Sequence, residues 1–391
     1  MTATMSRDVL TEEMIDRFGE RAGIYDRENR FFSEDFEELR ASGYLKMAIP
    51  EEFGGLGYNL AQVCSQQRRL AYRAPATALA TNMHLYWTGV AADMRRMGDS
   101  SLEWLLKEAA AGEVFAAGHG EAGNDLPLFL STARAEKVDG GYRFYGRKQF
   151  GSLTPVWTRM GMHAMDATDP NGPQIIHAFL PRDAAGYRIE ETWDTLGMRA
   201  TRSDDTVLEG ALIPDRYIAR VIPAGQADLF VLSIFAWAEP TFASIYMGIA
   251  RRAIDLAVQT AHKRTSLALT RSMAYNPEVQ HNVAEMTFAF DGAEAQVEKV
   301  ADEWARGVDH GSTWPGKLIS AKHNAVEAAK LVVDKAMAIS GGSGMFKGSE
   351  LERLYRDVRC GGFHPANSLL APEIVGKVTL GIDLGEAPRW G

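Results

Sequence analysis

The sequence predicts a mainly α-helical protein with a β-barrel or β-sandwich at its centre, an α+β fold. Three observations support this prediction. Apolar residues recur at helical spacing early in the chain, alternate with polar residues in the middle, and return to helical spacing afterwards. We therefore expect an N-terminal helical domain over 1–113, a β domain over 114–228 and a C-terminal helical bundle over 229–391.

The N-terminal region has the spacing of amphipathic helices. Leu10, Met14, Ile15 and Phe18 recur at intervals of three or four residues, and a similar run covers 102–111. Between them lies GYLKMAIPEEFGGLGYN, which Gly and Pro mark as a loop.

The middle region has the period of β-strands. The segment STARAEKVDGGYRFYGRKQF alternates polar and apolar residues around Asp139-Gly140-Gly141, which is typical of a hairpin. Several further short strands separated by turns indicate a small barrel or sandwich.

Long helices return after Phe230. In IYMGIARRAIDLAVQTAHKR, Ile245, Ile249 and Ala253 form one apolar stripe, and a later helical run ends at Gly341-Gly342. Long helices with short connections favour an antiparallel bundle.

Composition excludes several classes of protein. The net charge is −9 and no basic run occurs, which argues against nucleic acid or an anionic membrane as a partner. Two cysteines, Cys64 and Cys360, are too few for a disulfide framework and indicate reduced, cytoplasmic thiols. No metal-ligand spacing, phosphate loop or membrane-length apolar run is present. We therefore expect a cytoplasmic protein that binds no metal, membrane or nucleic acid.

Six motifs in order along the chain give a more specific indication. They are AIPEEFGGLG (48–57), GHGEAGND (118–125), GGYRFYGRKQFGS (140–152), LGMRATRSDDTVLEGALIPD (196–215), ISGGSG (339–344) and LERLYRDVR (351–359). With the order of helices and strands, they resemble the acyl-CoA dehydrogenase superfamily of flavoproteins. The resemblance implies an N-terminal helical domain, a central β-barrel and a C-terminal four-helix bundle, with the flavin between barrel and bundle in a homotetramer.

Two of these motifs match family contacts to the flavin. The family carries an aromatic residue and a hydroxyl at the positions of Phe150 and Ser152, and strand alternation would place both on one face. Gly123 and Asn124 match a Gly-Ser pair that approaches the flavin closely. The family's Thr-Glu-Pro is replaced by Gly118-His119-Gly120, so its threonine contact is lost as a side chain.

A second group of matching residues lies near the C-terminal helices. By resemblance, the glycines of ISGGSG lie where the adenosine part of FAD passes a helix end of a neighbouring subunit. These glycines are Gly341, Gly342 and Gly344. Arg264 and Gln280 match an Arg and a Gln that reach a partner subunit's FAD pyrophosphate, and Arg271 competes with Arg264 for this role.

One departure from the family decides the predicted chemistry. An acyl-CoA dehydrogenase removes an α-proton with a glutamate that, in the common branch, lies nine residues past an Arg of the Arg-Asp pair. Counted from Arg356, that position is Pro365, which cannot act as a base. Another branch carries its glutamate on the helix that opens the bundle. Glu239 is the nearest candidate there, beside Pro240, which is expected in the first turn of that helix.

The stretch RDVRCGGFHPAN instead resembles the flavin monooxygenases built on the same fold. These enzymes carry a histidine at the position of His364 and form a C4a-hydroperoxide from reduced flavin and O2. A histidine with an ordinary pKa near 6.5 suits acid/base work beside it. Ser152 would contact flavin N5, and His84 matches a region where some of these oxygenases present a second histidine.

Aromatic residues near the predicted cleft favour a flat substrate. They are Tyr86, Trp87, Trp157, Phe235, Trp237 and Phe242.

We therefore predict a monooxygenase that acts on a small aromatic or heterocyclic substrate. Its cofactor is FAD, or reduced FMN or FADH2 supplied by a flavin reductase. The alternative is an α,β-dehydrogenase of an acyl-CoA or acyl-carrier substrate, with Glu239 as the base and an electron-transfer flavoprotein as the acceptor. A flavin-binding paralogue without activity is the third possibility.

Overall fold

Helices form the first part of the chain in the computed structural model, which describes residues 8–386. They are α1 (Glu12–Glu28), α2 (Ser33–Ser42), α3 (Leu60–Ala71), α4 (Pro75–Arg96) and α5 (Glu103–Ala111). The Thr11 side chain caps α1 by accepting from the Met14 N–H, and Asn59 and Gln62 form a capping box at α3. Nearly all of α4 is buried, because it packs against the other helices and the sheet.

Eight strands form one mixed sheet in the middle of the chain. They are β1 (Phe115–Gly118), β2 (Arg134–Val138), β3 (Gly141–Lys148), β4 (Arg159–Asp166), β5 (Gln174–Pro181), β6 (Tyr187–Glu190), β7 (Asp205–Pro214) and β8 (Ile218–Pro223). The strand order is β6-β7-β3-β2-β4-β5-β8, with β1 parallel to β4. The predicted hairpin is β2–β3, and its two-residue turn contains Gly140 at φ 78°.

Three long α-helices and two short ones follow the sheet in the described part of the chain. They are α6 (Leu229–Lys263), α7 (Pro277–Ala305), α8 (Trp314–Ser340), α9 (Glu350–Arg359) and α10 (Leu370–Leu380). The long helices pack on one another, and α6 also contacts α3 and α4. The order of helical, sheet and helical parts confirms the predicted fold class, while the boundaries at residues 113 and 228 stay a prediction.

The start of α6 differs from the sequence-based expectation. The helix begins at Leu229, capped by the Asp228 side chain, so Pro240 lies inside it and Glu239 is not at a helix terminus. By length and composition α6 could cross a membrane, but 83% of its apolar stretch is buried inside the protein. It is the central helix of the core.

Candidate active site

A cavity of about 470 Å³ lies between the sheet and the helical bundle. Its walls come from α4, α6, the loops that follow β1 and β3, the segment 193–203 and the segment 359–370. The lining is mainly apolar and includes a few polar groups, a combination typical of sites for cofactors and small ligands.

Phe150 and Ser152 line this cavity, but not as neighbours on a strand. β3 ends at Lys148, so both residues lie in the following loop, and the expected strand alternation is wrong. The Phe150 side chain is 58% exposed and meets Trp193 edge-on, with ring centroids 6.1 Å apart. It therefore offers a flat apolar face that a planar ring can cover.

Backbone strain accompanies the cavity. Leu128, Phe150 and Met198 all line it and have φ values of 76°, 61° and 53°. For a residue with a Cβ atom, this left-handed region costs about 1–2 kcal/mol. Such strain persists where the surrounding structure imposes it, and it concentrates at functional sites.

Three hydroxyl groups form a chain at one wall. Ser152 Oγ lies 2.8 Å from Ser203 Oγ, which lies 2.7 Å from Thr201 Oγ1. Thr201 Oγ1 also lies 2.8 Å from the Met198 carbonyl oxygen and donates to it. Of these three hydroxyl groups, the sequence singled out only that of Ser152. Thr201 and Ser203 lie in the quoted motif LGMRATRSDD, so a signal for them was present in the sequence.

His364 lies in the cavity wall and is held on two sides. Its Nε2 is 2.7 Å from the Tyr246 hydroxyl, and its ring stacks on Phe242 at 4.7 Å and 6°. Burial, reinforced by the positive charge of Lys322, lowers the pKa of His364 to about 3. The imidazole is therefore neutral, and the ordinary histidine pKa assumed from the sequence does not apply.

Glu239 lies in the wall one turn of α6 before Phe242. Its side chain is buried, and its Oε2 has no hydrogen-bond partner among the described residues. Burial raises the pKa of Glu239, and the nearby ammonium of Lys322 opposes that shift. Lys322 itself donates to the carbonyl oxygens of His364 at 3.0 Å and of Ala366 at 2.8 Å.

A buried ion pair supports Asn124, which lines the cavity in the loop after β1. Lys148 and Glu121 form this pair, and both side chains are fully buried. The Glu121 carboxylate also accepts from Asn124 Nδ2 at 2.8 Å and from Ser131 Oγ at 2.6 Å. Gly123, beside Asn124, has φ 74°. Asn124 lines the cavity, as expected of a flavin contact, whereas the ion pair was not predicted.

His119 also lines the cavity, although no role for it was predicted from the sequence. Its Nδ1 lies 3.2 Å from Nδ1 of His163, whose Nε2 lies 3.0 Å from the Leu130 carbonyl oxygen. Burial, followed by the charge of Lys148, holds the pKa of both histidines well below the usual range. They form a neutral hydrogen-bonded pair in which His119 lines the cavity and His163 lies outside the lining.

His84 lies outside the cavity lining. Its Nε2 is 2.9 Å from the Leu45 carbonyl oxygen, and its Nδ1 accepts from the Phe115 N–H at 3.1 Å. Both ring nitrogens are therefore used to join α4 to the backbone of two other segments. This geometry gives His84 a structural role and none in contact with a cavity ligand.

The glycines expected near the FAD tail follow the C-terminal end of α8, and Arg264 contacts the same end. Arg264 Nη1 donates to the Ser340 carbonyl oxygen at 2.5 Å, and Gly341 packs against the same guanidinium with φ 56°. Gln280 Nε2 donates to the Ala274 carbonyl oxygen at 3.1 Å. None of these residues, nor Gly342 or Gly344, lines the cavity. Their predicted contact with a partner subunit's FAD stays a prediction.

The aromatic residues divide into two groups. Tyr86, Phe235 and Phe242 line the cavity. The three tryptophans belong to the closed core instead, with side chains about 1% exposed; they are Trp87, Trp157 and Trp237.

The residues present fit a flavin ring. Its flat apolar tricycle needs an apolar slot and a few aimed donors. The exposed face of Phe150 and the hydroxyl of Ser152 provide these elements around one cavity. Asn124 lines the same cavity, but its Nδ2 donates to Glu121 and to the Leu130 carbonyl oxygen, so the expected donation from its side chain to the flavin is wrong. Among residues 8–386, no cluster of His, Cys, Asp or Glu has the arrangement of a metal site.

Comparisons with known proteins agree with this architecture. Residues 1–101 match the N-terminal domain of acyl-CoA dehydrogenase, and residues 240–368 match its C-terminal domain. The chain is 30% identical to the putative acyl-CoA dehydrogenase YdbM of Bacillus subtilis over 356 residues, 90% of each chain. It is 27% identical to indole-3-acetate monooxygenase of Pseudomonas putida, covering 89% of this chain and 87% of that one.

A solved structure gives the same result in three dimensions. The nitrososynthase of Micromonospora carbonacea var. africana superposes with a TM-score of 0.83, at 28% identity and over 96% of both chains. The resemblance stated from the six motifs is therefore confirmed. The chain belongs to the acyl-CoA dehydrogenase family and is a flavin-dependent oxidoreductase.

Proposed function

We propose that this protein is a monooxygenase that uses reduced flavin and O2 to oxidise a small aromatic or heterocyclic substrate. One observation carries the proposal. The position where the common dehydrogenase branch has its catalytic glutamate is Pro365, and the residue before it is a neutral histidine in the cavity wall. The similarity to a monooxygenase over most of both chains supports it.

Phe150, Ser152 and Asn124 would hold the flavin ring. Phe150 covers one face, and the Ser152 hydroxyl supplies a hydrogen bond to a polar edge. Asn124, whose amide donates to Glu121 and to the Leu130 carbonyl oxygen, holds the loop beside the ring. When bound and reduced, the flavin supplies the electrons that activate O2. The apolar walls limit the access of water to the reacting atoms.

His364 would hold a proton in this cavity without carrying charge. Its Nε2 is paired with the Tyr246 hydroxyl, which stays protonated because burial raises the pKa of Tyr246 well above its usual range. That hydroxyl either donates to Nε2 or accepts from it. The ring can therefore present Nδ1 as a donor or as an acceptor, and the stack on Phe242 fixes its plane.

A flavin reductase would supply the reduced cofactor, either FMN or FADH2, unless FAD remains bound throughout. We expect a cytoplasmic homotetramer, as the family resemblance implies. Sedimentation of the flavin-loaded protein measures the assembly directly.

Stopped-flow spectroscopy tests the monooxygenase proposal. Flavin-loaded protein is reduced without oxygen and mixed with oxygenated buffer. We expect a transient absorbance of oxygenated flavin that His364→Ala shortens by about tenfold or more, a typical loss for a positioned proton-transfer group. Tyr246→Phe should shorten it less, since the imidazole remains.

His262→Ala, on the exposed end of α6, is the matched control and should leave the transient unchanged. Direct reoxidation of the wild type without any transient would contradict the proposal. So would equal lifetimes in the wild type and His364→Ala.

An acyl-CoA dehydrogenase is the second candidate, and the position of Glu239 favours it. Glu239 is a buried carboxyl in the cavity wall, as a base for an α-proton must be, and YdbM is a similar protein. A dehydrogenase should be reduced anaerobically by an acyl-CoA thioester, and Glu239→Gln should abolish that reduction. If no thioester in a chain-length series bleaches the flavin, this candidate is excluded.

A further inference from the structure

The chain of hydroxyl groups in the cavity wall has a defined direction. Its members Ser152, Ser203 and Thr201 line the cavity and are buried, with 6%, 3% and 0% of their surface exposed. Thr201 Oγ1 lies 2.8 Å from the Met198 carbonyl oxygen, which can only accept a hydrogen bond. The hydroxyl proton of Thr201 therefore points away from the two serines.

This direction passes from one hydroxyl group to the next, because each has a single proton to donate. Since Thr201 donates to Met198, the 2.7 Å bond between Ser203 and Thr201 is donated by Ser203. The 2.8 Å bond between Ser152 and Ser203 is then donated by Ser152. All three protons are committed within the wall, so each hydroxyl group meets a cavity ligand as an acceptor.

The opposite direction is available at the cost of one hydrogen bond. For Ser152 to donate into the cavity, both bonds within the chain must turn round. Thr201 then donates to Ser203 and no longer to the Met198 carbonyl oxygen. That oxygen keeps the Trp193 Nε1 donor at 3.2 Å and the Thr201 N–H at 3.1 Å. Losing one neutral hydrogen bond changes an equilibrium constant by about three- to tenfold.

The two redox states of a flavin need opposite partners at N5. In the oxidised ring N5 has a lone pair and accepts a hydrogen bond, whereas two-electron reduction adds a proton there and makes N5 an N–H donor. A wall that offers an acceptor at this atom therefore favours the reduced ring.

We propose that Thr201 and Ser203 orient the Ser152 hydroxyl as an acceptor, so that the cavity binds reduced flavin in preference to oxidised flavin. The proposal rests on the proposed function, because it takes Ser152 as the contact of flavin N5. Ser203 and Thr201 act through Ser152 and are positioning residues. The preference suits a protein supplied by a reductase, since oxidised flavin then competes less well for the cavity.

The midpoint potential of the bound flavin tests this proposal. The protein is loaded with FMN or FAD, whichever binds more tightly, and titrated anaerobically against a reference dye. Each tenfold preference for the reduced state raises the potential by about 30 mV. We expect Ser152→Ala to lower the potential by about 15–30 mV, because the acceptor of the N–H is lost. If Ser152 donated to oxidised flavin instead, the same variant would raise the potential.

Two further variants test the positioning residues. Thr201→Val and Ser203→Ala each interrupt the chain and free the Ser152 proton for the cavity. We expect both to lower the potential by about 15–30 mV and to bind oxidised flavin about three- to tenfold more tightly. Structural damage alone would weaken the binding of both redox states. Thr201→Ser keeps the hydroxyl group and should keep the wild-type potential.

Ser244→Ala is the matched control. Ser244 is a buried serine of α6 that donates to the Pro240 carbonyl oxygen and lies outside the cavity lining, so the potential should not change. The variants are assessed separately, so one that fails to fold leaves the others decisive. A higher or unchanged potential in Ser152→Ala, Thr201→Val or Ser203→Ala would overturn the proposal, as would failure to bind either flavin.

The outcomes separate this inference from the monooxygenase proposal. Lowered potentials in a protein without an oxygenated-flavin transient would refute the monooxygenase and keep the orientation of Ser152. A transient together with unchanged potentials would refute the orientation alone.

Discussion

Replacement of Lys148 by Met tests whether the buried ion pair supports the cavity. Lys148 and Glu121 are both fully buried, and Lys148→Met would leave the Glu121 carboxylate in the interior with only neutral donors. Removing one partner of a buried pair costs about 3–5 kcal/mol. We expect a loss of that size in the free energy of unfolding, measured by urea titration with tryptophan fluorescence.

The stability loss in Lys148→Met should also depend on pH in a defined direction. Burial raises the pKa of Glu121, but Lys148 and the hydrogen bonds outweigh it, so the net pKa in the wild type is lowered. Without Lys148, burial dominates and the folded-state pKa rises above the unfolded value. A raised carboxyl pKa makes the folded variant relatively more stable as the pH falls. The deficit of Lys148→Met should therefore shrink between pH 7 and pH 5.

Two further variants complete the test. In a Glu121→Gln background, Lys148→Met should cost several kcal/mol less, because no buried carboxylate remains. Lys137→Met, at a half-exposed surface pair on the neighbouring strand β2, should change stability by less than about 1 kcal/mol. A loss below about 1 kcal/mol in Lys148→Met, or strict additivity in the double variant, would refute the reasoning.

Two other predictions concern packing and titration. Gly89→Ala should destabilise the protein by about 1–3 kcal/mol, because the added Cβ would lie 2.2 Å from the Trp237 ring. Gly292→Ala on α7 is the control, since its Cβ would meet no atom within 4 Å, and it should be neutral or stabilising. Equal urea midpoints for the two variants would contradict this prediction. Burial raises the pKa of Asp35 to about 7, above its value in the unfolded chain, so the contribution of Asp35 to stability falls as the pH rises from 4 to 7. The free-energy cost of Asp35→Asn should therefore shrink over the same rise, by up to about 1.4 kcal/mol per pH unit. A pH-independent cost would show that Asp35 does not titrate there.

The sequence was sufficient for the order of the fold and for part of the cavity. Periodicity distinguishes helices from strands because it reports which local face is buried. The motifs identified Phe150, Ser152 and Asn124, and the departure from the family at Pro365 singled out His364. All four residues line one cavity. Periodicity and motifs are properties of short segments, so they can be read from the sequence without knowing the tertiary contacts.

Predictions from the sequence were wrong where the role of a residue depends on its tertiary contacts. His84 sits in a promising motif, but both ring nitrogens bind backbone atoms of distant segments. Phe150 seemed to continue a strand, but the strand ends two residues earlier, and the loop turns its ring into the cavity. Pro240 suggested a helix start, but α6 begins eleven residues before it.

What the sequence alone determined is the family, the flavin chemistry and the replacement of the usual catalytic glutamate. Only the tertiary structure decided that His364 is neutral, that Tyr246 and Lys322 hold it, and that Glu239 Oε2 has no hydrogen-bond partner among residues 8–386. Tyr246 and His364 are 118 positions apart in the chain. Protonation and hydrogen bonding depend on burial and on contacts across such distances, and these arise only when the helices pack.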